Sequence, residues 1–417
     1  MEARSEEEVI RAVREVRERG GRLRAAGAGG SKNRILDVPG GVLRLDGLEA
    51  PWAVGDGEVT APASMTVGAL HDRLRAEGLL VPTVGEWRNA TLAGSLATAS
   101  HGGSARHGIL STSVRSLRLV TGTGEVVRLS RGEEDFAHAG VSLGALGVVT
   151  AVTLECVERF PLRLETDVVG FAEYLADPVG QESRSEFHAS IWAPHARRVI
   201  RFAADRTRDP IGRARRELRF GYRTGLATYL SRHLGVHGGV SSRVFRRTAV
   251  GDAADILAPI AVASGTVHTR MLVNEARGRM AAELALPASR IPEALARLEA
   301  LLRVHRRVVR NPIGVRMSPA DRFTLSPCYE RDTFWLDIFF YDREPFVSEL
   351  AAFAAEFGAR CHWGKTLPRP PEALRREYPA WEAFRAARAR LDPDEVFANG
   401  FTDALGLTGS RAPARAS

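Results

Sequence analysis

The segment at residues 82–108, PTVGEWRNATLAGSLATASHGGSARHG, constrains the fold of this chain more than any other stretch. It is built largely from Gly, Ala, Ser and Thr, with few side chains that a hydrophobic core could bury. Inside a compact domain, a segment so long and so poor in large side chains is either functional or disordered. Strand patterns follow it directly, which disfavours disorder. We therefore expect a loop whose backbone lies close to a ligand.

A second bare stretch, GAGGSKN at residues 27–33, follows the short strand pattern RLRAAG. Glycine permits positive φ, and successive backbone N–H groups can form a concave site for an anion. Lys32 adds a positive charge. The match to GxGxxG is incomplete, which disfavours an ordinary Rossmann loop, and a plain tight turn stays an alternative for this stretch alone. Two such loops in one domain predict an extended cofactor that is held along its length.

Helix and strand patterns alternate around these two loops. Ser5 and Glu8 have the spacing of a capping box, and Thr66 is placed to cap a second helix. Two β-rich runs around TGTG at residues 121–124 predict a hairpin, and the alternation at residues 148–157 predicts a strand. This mixture predicts an α+β domain.

The second part of the chain predicts a different architecture. The runs RVIRFAAD, ELALP and TFWLDIFFYD have strand character, while GYRTGLATYLSRHLGVHGG and IPEALARLEALLRVHRRVV have helical character. Antiparallel strands with helices on one side account for this pattern most simply. We divide the chain into a first domain at 1–164, a second domain at 165–374, a return to the first domain at 375–407 and a disordered tail at 408–417.

Composition excludes several classes of protein. The chain has 417 residues and a net charge of +8, but its arginines are scattered over many predicted helices, which disfavours nucleic-acid binding. Its three cysteines lack CxxC spacing, which argues for a reducing compartment and against a zinc site, and we predict no bound metal. The N-terminus is charged from its second residue, and no apolar run approaches the roughly 20 residues that span a bilayer. We expect a cytoplasmic protein with no membrane partner.

Five motifs together resemble one family of flavoproteins. They are GAGGS, TLAGSLATASHGGSARHG, VSLGALGVVTAVTLECV, SPCYERD and the C-terminal pair HWGK and YPAWEAFRAARARLDPDEVFANGF. Each motif is weakly specific, but the set, in this order, resembles the vanillyl-alcohol-oxidase (VAO/PCMH-type) superfamily, and within it the sugar-lactone and alditol oxidases. The resemblance covers about two-thirds of the chain.

The resemblance implies a two-domain flavoprotein: an FAD-binding domain and a substrate cap domain with an antiparallel sheet. FAD would lie across the first domain with its diphosphate between the two glycine-rich loops. The cofactor-binding residues that the resemblance implies are Ala28, Gly29, Gly30, Ser31, Lys32, Asn33, Gly94, Ser95, Thr98, Ser100, His101, Gly102, Ser104, Gly108, Gly147, Val149, Lys365 and Asn399.

The sequence departs from the family at the point where many relatives attach their flavin. In those relatives the first loop reads G-x-G-H-S, and the histidine is bonded covalently to the flavin. Gly30 stands at that position here. We therefore expect FAD to be held non-covalently.

A second departure lies on the substrate side. Relatives carry Glu-x-Arg on a cap strand, and Arg316 fits the arginine, whereas Gly314 stands in place of the glutamate. Alcohol oxidation needs a group that takes the hydroxyl proton. The absence of the glutamate therefore disfavours ordinary polyol or lactone oxidation. Arg316 and Glu283, which matches a glutamate often seen on the family's cap sheet, are the predicted substrate-binding residues.

Lys365 in HWGK is, by resemblance, the cation that lies near the flavin and stabilises its reduced form. His362 is a candidate proton acceptor or a structural residue. We predict Lys365, Arg316 and His362 as the catalytic residues.

The sequence therefore predicts an FAD-dependent oxidoreductase that removes hydride from a CH–OH group of a sugar-like small molecule, in a specialised biosynthetic pathway. Oxygen or another acceptor would take up the electrons. Two alternatives stay open here. One is flavin-dependent amine oxidation or a redox-neutral step on a sugar, and the other is a non-catalytic flavin-binding protein. The substrate and the oligomeric state are not predicted.

Overall fold

The computed structural model describes residues 1–83, 85, 87–211, 247–253, 256–257, 279–309 and 311–409. Its first helix, α1 (Glu6–Glu18), begins where predicted, because the Ser5 side chain accepts a hydrogen bond from the backbone N–H of Glu8. In a capping box the Glu8 carboxylate would accept from the N–H of Ser5. In the structure it accepts from the N–H of Arg4 instead. The face of α1 formed by Val9, Ala12, Val13 and Val16 is buried.

The first domain is built on a five-stranded antiparallel sheet, among the described residues, with the order β3-β4-β8-β6-β7. Its elements also include two short pairs, the parallel β1-β2 and the antiparallel β5-β9. The bounds are β1 (Arg24–Ala26), β2 (Val42–Arg44), β3 (Ala53–Gly55), β4 (Glu58–Pro62), α2 (Val67–Ala76), β5 (Leu79–Leu80), α3 (Leu92–Ala97), β6 (Val114–Val120), β7 (Val126–Ser130), α4 (Glu134–Ala139), β8 (Val148–Glu155) and β9 (Val157–Glu158).

The sequence predicted the local structure of this domain well. Thr66 caps α2 by accepting from the N–H of Ala69, and the predicted hairpin is the antiparallel pair β6-β7. Both predictions rest on local chemistry: a hydroxyl that satisfies a helix N–H, and a glycine turn between β-branched runs.

The second domain contains an eight-stranded antiparallel sheet, among the described residues, with the order β13-β10-β12-β11-β15-β16-β14-β17. Helices pack against this sheet, and His101 of the first domain stacks on Trp335 of the sheet. Its elements are β10 (Pro161–Gly170), α5 (Phe171–Ala176), α6 (Pro178–Ser183), β11 (Phe187–Ala193), β12 (Arg198–Arg206), β13 (Arg247–Asp252), β14 (Arg279–Pro287), α7 (Ile291–Val304), β15 (Ile313–Ser318), β16 (Thr333–Tyr341), α8 (Phe346–Glu356) and β17 (Arg360–Cys361).

Three further helices follow the cap sheet: α9 (Pro371–Leu374), α10 (Trp381–Leu391) and α11 (Gly400–Ala404). Val396 and Phe397 pack in the same core cluster as the buried face of α1. The buried guanidinium of Arg24 donates to the carbonyl of Phe397 at 2.9 Å, which joins the first strand to this segment.

These observations confirm an α+β, two-domain fold with an antiparallel cap sheet. That sheet begins at Pro161, a few residues before the predicted boundary. The helix predicted at residues 221–239 lies outside the described residues, as does the predicted tail apart from Thr408 and Gly409.

Candidate functional site

The two glycine-rich segments lie against each other. A Cβ atom added to Gly27 would lie 2.3 Å from Oγ1 of Thr91, and one added to Gly30 would lie 1.1 Å from the Trp87 ring. A side chain at either position would force Thr91 or Trp87 to move, so glycine permits the close approach seen here. Gly29 differs, because its φ is +68° and no atom lies within 4 Å of its Cβ position. The first loop is therefore closed on one side by the second segment and open at Gly29.

The first loop is fastened to HWGK at residues 362–365. The N–H of Lys32 donates to the carbonyl of Gly364 at 2.8 Å. The Asn33 side chain donates to the carbonyls of Trp363 at 2.6 Å and Lys365 at 2.9 Å. The loop and the predicted flavin-contacting lysine thus form one unit, although more than 300 residues separate them in sequence.

Two hydroxyls of the second segment are used within the protein. Thr98 donates to the carbonyl of Gly94 at 3.0 Å, and Ser104 donates to the carbonyl of Glu186. The N–H of Ser104 donates to the carbonyl of Met317 at 3.0 Å, which joins this segment to β15. Backbone groups and the glycines are therefore better placed than these hydroxyls to contact a cofactor.

The remaining predicted cofactor residues are distributed along the same segments and beyond them. Asn399 caps α11 and donates to the carbonyl of Ile35 at 2.9 Å, so its side chain has a structural role. The others are Ala28 and Ser31 in the first loop, Ser95 in α3, Ser100, Gly102 and Gly108 after it, and Gly147 and Val149 at the beginning of β8.

The cap sheet presents charged residues from three neighbouring strands on one face. Gly314 of β15 pairs with Asp337 of β16, and Asp337 pairs with Glu283 of β14. Cross-strand partners project to the same face, as do residues two positions apart along a strand. Arg316 and its cross-strand partner Trp335 therefore share this face with the two carboxylates.

Glu283 lies at the centre of a buried cluster of charges. Its Oε1 atom lies 3.2 Å from Nε2 of His101 and 3.5 Å from Nη1 of Arg316. Its Oε2 atom lies 3.6 Å from Nζ of Lys365. Burial raises the pKa of this carboxyl, but the nearby charge of Lys365 and the contact with His101 outweigh burial and hold the pKa well below its usual range. Glu283 is therefore an ionised carboxylate that holds the surrounding groups in place.

His101 reaches this cluster from the second glycine-rich segment. Its ring stacks on Trp335 with the centroids 3.8 Å apart and the planes at 11°. Its Nδ1 lies 2.9 Å from the carbonyl of Gly102, and a carbonyl oxygen can only accept, so Nδ1 carries a proton. Nε2 of the same ring faces the Glu283 carboxylate at 3.2 Å, so His101 links the second glycine-rich segment to the cap sheet.

His362 is placed as a neutral, structural group. Its Nδ1 accepts from the N–H of Gly364 at 3.0 Å, so in the neutral ring the proton sits on Nε2. Burial lowers the pKa of His362 to about 3, against the opposing effect of Glu283. The ring then has no free lone pair, and this arrangement disfavours the predicted role as proton acceptor.

His101, Glu283 and His362 have the composition of a metal-binding triad, and their ligand atoms lie within 4.8 Å of one another. The nearby positive charges disfavour metal binding here, because Arg316 and Lys365 lie within 3.6 Å of the Glu283 carboxylate. A divalent cation would have to share Glu283 with two fixed positive groups. The cluster is better described as an ion-pair network.

Sequence reasoning missed three residues of this site. Asp337 is the single acidic residue in the apolar strand TFWLDIFFY, and that contrast was a usable signal. Trp335, two positions before it, is fully buried and stacks on His101. Trp87, which covers Gly30, had no local signal, because its contact depends on how the two segments meet.

Two family models together match most of this chain. Residues 1–130 match the family described as FAD binding domain, and residues 152–405 match the family described as D-arabinono-1,4-lactone oxidase. The L-gulono-1,4-lactone dehydrogenase of Mycobacterium tuberculosis is 32% identical over 410 residues, which cover 95% of this chain and 93% of that protein. The alditol oxidase of a Streptomyces species is 31% identical over 403 residues, covering 90% and 89% of the two chains.

Two proteins of lower sequence identity also match nearly the whole of this chain. The L-gulonolactone oxidase of Bos taurus is 27% identical over 421 residues, covering 96% of this chain and 93% of that protein. The crystal structure of cholesterol oxidase from Brevibacterium sterolicum superposes with a TM-score of 0.72 at 16% identity, covering 97% of this chain and 93% of that one. At this identity the likeness shows a shared fold.

The fold and the site define a flavoprotein of the vanillyl-alcohol-oxidase superfamily, an FAD-dependent oxidoreductase of the class that acts on CH–OH groups. Within this class, the chain belongs to the D-arabinono-1,4-lactone oxidase family. Across the described part of the chain, none of the helices has the length and apolar character needed to cross a bilayer.

The chain's own residues fit FAD. Gly29 adopts a left-handed conformation with open space beside it, which allows a ligand to approach the backbone closely. Lys365 follows directly on a segment that is bonded to this loop, and its side chain is 20% exposed, against 3% for Glu283. This ammonium group is therefore partly open to a ligand.

The neutral state of His362 predicts a pH dependence of stability. The unfolded chain protonates this histidine below about pH 6.5, whereas the folded protein resists protonation down to about pH 3. The unfolded state thus binds more protons in this window, and stability falls as pH falls. We expect a contribution of up to about 1.4 kcal/mol per pH unit.

The His362→Asn variant tests this prediction, because the Asn oxygen can still accept from the N–H of Gly364. Urea unfolding between pH 4 and pH 7 should show a shallower loss of stability in the variant than in the unmodified protein. Parallel pH profiles for the two proteins would contradict a neutral His362.

Proposed function

We propose that this enzyme oxidises a CH–OH group of an aldonolactone or a related polyol to a carbonyl. The observation that carries the proposal is the buried cluster of Glu283, Arg316, Lys365 and His101, which contacts both glycine-rich segments through His101 and the HWGK bonds. The matching relatives are named for lactone and alditol substrates. They favour CH–OH oxidation over amine oxidation or a purely binding role.

The backbone of residues 27–33 and 94–108 would hold the FAD diphosphate. The bound flavin supplies the two-electron acceptor of the reaction. Lys365 contributes a positive charge beside it, because its main chain is fixed by Asn33 and its ammonium group is partly exposed. Arg316 offers a planar, permanently charged donor to substrate oxygens, and Glu283 fixes its position.

The composition of the chain supports a specific role for the Lys365 ammonium group. Arginine accounts for nearly all of the 58 basic residues, since Lys32 and Lys365 are the two lysines. Both lie at the junction of the first loop and HWGK. A compact ammonium and a planar guanidinium are not interchangeable beside a ligand, which gives a physical reason for lysine at these two positions.

The electron acceptor is oxygen or another oxidant, since the relatives include both oxidases and a dehydrogenase. The content of three cysteines, all buried and free, supports a cytoplasmic location. The departures at Gly30 and Gly314 support a specialised pathway.

We also propose that FAD is bound without a covalent link. Gly30 has no group that could attack the flavin, and the Trp87 ring occupies the place of a side chain at position 30. Trp87 thus fills space that a histidine would need.

An anaerobic screen tests the reaction. We expect L-gulono-1,4-lactone, D-arabinono-1,4-lactone or an alditol to bleach the flavin absorbance of the purified protein. Lys365→Met should slow this reduction by about 100-fold, because a preorganised charge beside the reduced ring is lost. Lys365→Arg keeps the charge and should recover part of the rate. Failure of every lactone and alditol to reduce the flavin would contradict the proposal.

Acid precipitation tests the mode of attachment. All flavin should remain in the supernatant of the unmodified protein. Gly30→His should lower the flavin content of the purified protein, because the imidazole and the Trp87 indole compete for one space. The double variant Gly30→His/Trp87→Ala should regain it. Flavin that stays with the precipitated unmodified chain would refute non-covalent binding.

A further inference from the structure

Position 314 lacks a carboxylate, but the structure brings one to the same place from the neighbouring strand. Gly314 and Asp337 are direct cross-strand partners in the antiparallel pair β15-β16. Partners of this kind have Cβ atoms about 5 Å apart on one face of the sheet. A side chain at position 337 therefore lies beside the point from which a side chain at position 314 would project.

Asp337 is a buried carboxylate in a largely apolar strand, where an acidic side chain is unfavourable unless it has a specific role. The residue has no exposed surface, and it interrupts a strand that is otherwise apolar apart from its first residue and its terminal tyrosine. Its Oδ1 atom lies 3.3 Å from Nζ of Lys365. Removing a carboxylate from water costs free energy that a hydrophobic residue in its place would avoid.

The two carboxylates of this face have different surroundings. Glu283 contacts His101, Arg316 and Lys365 at once, and its pKa is held well below its usual range. A carboxylate stabilised in this way is a weak base, and its contacts suit it to position the cations. Asp337 shares Lys365 with Glu283 and lies beside Gly314, on the side of the pair where Arg316 also projects.

We propose that Asp337 is the carboxylate that binds the substrate hydroxyl and accepts its proton, in place of the side chain missing at Gly314. This assignment rests on the proposed oxidation of a CH–OH group. In the step, the carbon gives up its hydrogen with two electrons to FAD, the hydroxyl proton passes to Asp337, and the C–O bond becomes a carbonyl. Lys365 contacts this carboxylate, with its Nζ atom 3.3 Å from Oδ1 of Asp337.

The proposal has a consequence for the substrate. The proton acceptor is carried by β16, next to Glu283 of β14, so the reacting hydroxyl lies closer to the Lys365 side of the sheet. Gly314 adds no side chain between Asp337 and Ile191 on the next strand. That part of the sheet face can take a substrate substituent beside Arg316.

The Asp337→Asn variant is the primary test, with Asp342→Asn as its control, because Asp342 is an exposed residue just after the same strand. The reaction is followed in the flavin-loaded protein by anaerobic stopped-flow absorbance, with the lactone or alditol that reduces the unmodified enzyme fastest. Asp337→Asn should lower the limiting rate of reduction at least 100-fold. Asp342→Asn should leave that rate unchanged.

The pH profile separates a proton acceptor from a structural residue. In the unmodified enzyme, the rate of flavin reduction should fall at low pH, where the carboxylate is protonated. The Asp337→Asn variant should not show this fall. Binding of the oxidised product, measured by its perturbation of the oxidised flavin spectrum, should change by less than threefold, because the carbonyl that replaces the reacting hydroxyl has no proton to donate. A reduction rate within threefold of the unmodified enzyme, with an unchanged pH profile, would overturn the proposal.

A second variant decides the case in which Asp337→Asn fails to bind flavin. Gly314→Glu/Asp337→Ser returns a carboxylate to the same face from β15 and should regain a reduction rate well above that of Asp337→Ser alone. A double variant that is flavin-loaded but reduces no faster than Asp337→Ser would refute the assignment. If no substrate reduces the unmodified enzyme, the proposed oxidation itself fails, which is a different result from a change at Asp337.

Discussion

The hydrogen bonds that join the first glycine-rich loop to HWGK are the interactions on which the rest of the site depends. Lys32 and Asn33 donate to three consecutive carbonyls, those of Trp363, Gly364 and Lys365. These bonds bring a predicted phosphate-binding backbone and a charged side chain into one rigid unit. Since backbone carbonyls that lie away from water need partners, the loop cannot move from HWGK without leaving several groups unsatisfied.

Charge balance is the second constraint on the site. Two carboxylates, Glu283 and Asp337, lie on the cap sheet with two permanent cations, Arg316 and Lys365. Breaking such a buried set by removing one partner leaves an uncompensated charge, which is strongly destabilising. The cluster therefore holds its members in fixed positions, with Glu283 in contact with Arg316 and Lys365, and Asp337 in contact with Lys365.

Much of the fold could be predicted because its signals are local. Ser5 and Thr66 cap their helices through their own hydroxyls, and the alternation after residue 148 gave β8. The two loops were identified from their glycine-rich sequences and Lys365 from motif resemblance, and the structure joins the first loop to HWGK. The pairing of Gly314 with Asp337 could not be predicted, because strand register depends on non-local packing. For the same reason the contact of Trp87 with Gly30 had no signature.

The crystal structure of the FAD-bound protein is the most direct test of the central claim that one cofactor joins both loops to the cap sheet. The account predicts a diphosphate between residues 27–33 and 94–108, with the Lys365 ammonium within hydrogen-bond distance of the flavin ring. It also predicts that Asp337 faces the ring across a gap that a sugar-sized substrate can fill. A flavin bound elsewhere, or one with Lys365 directed away from it, would contradict the account.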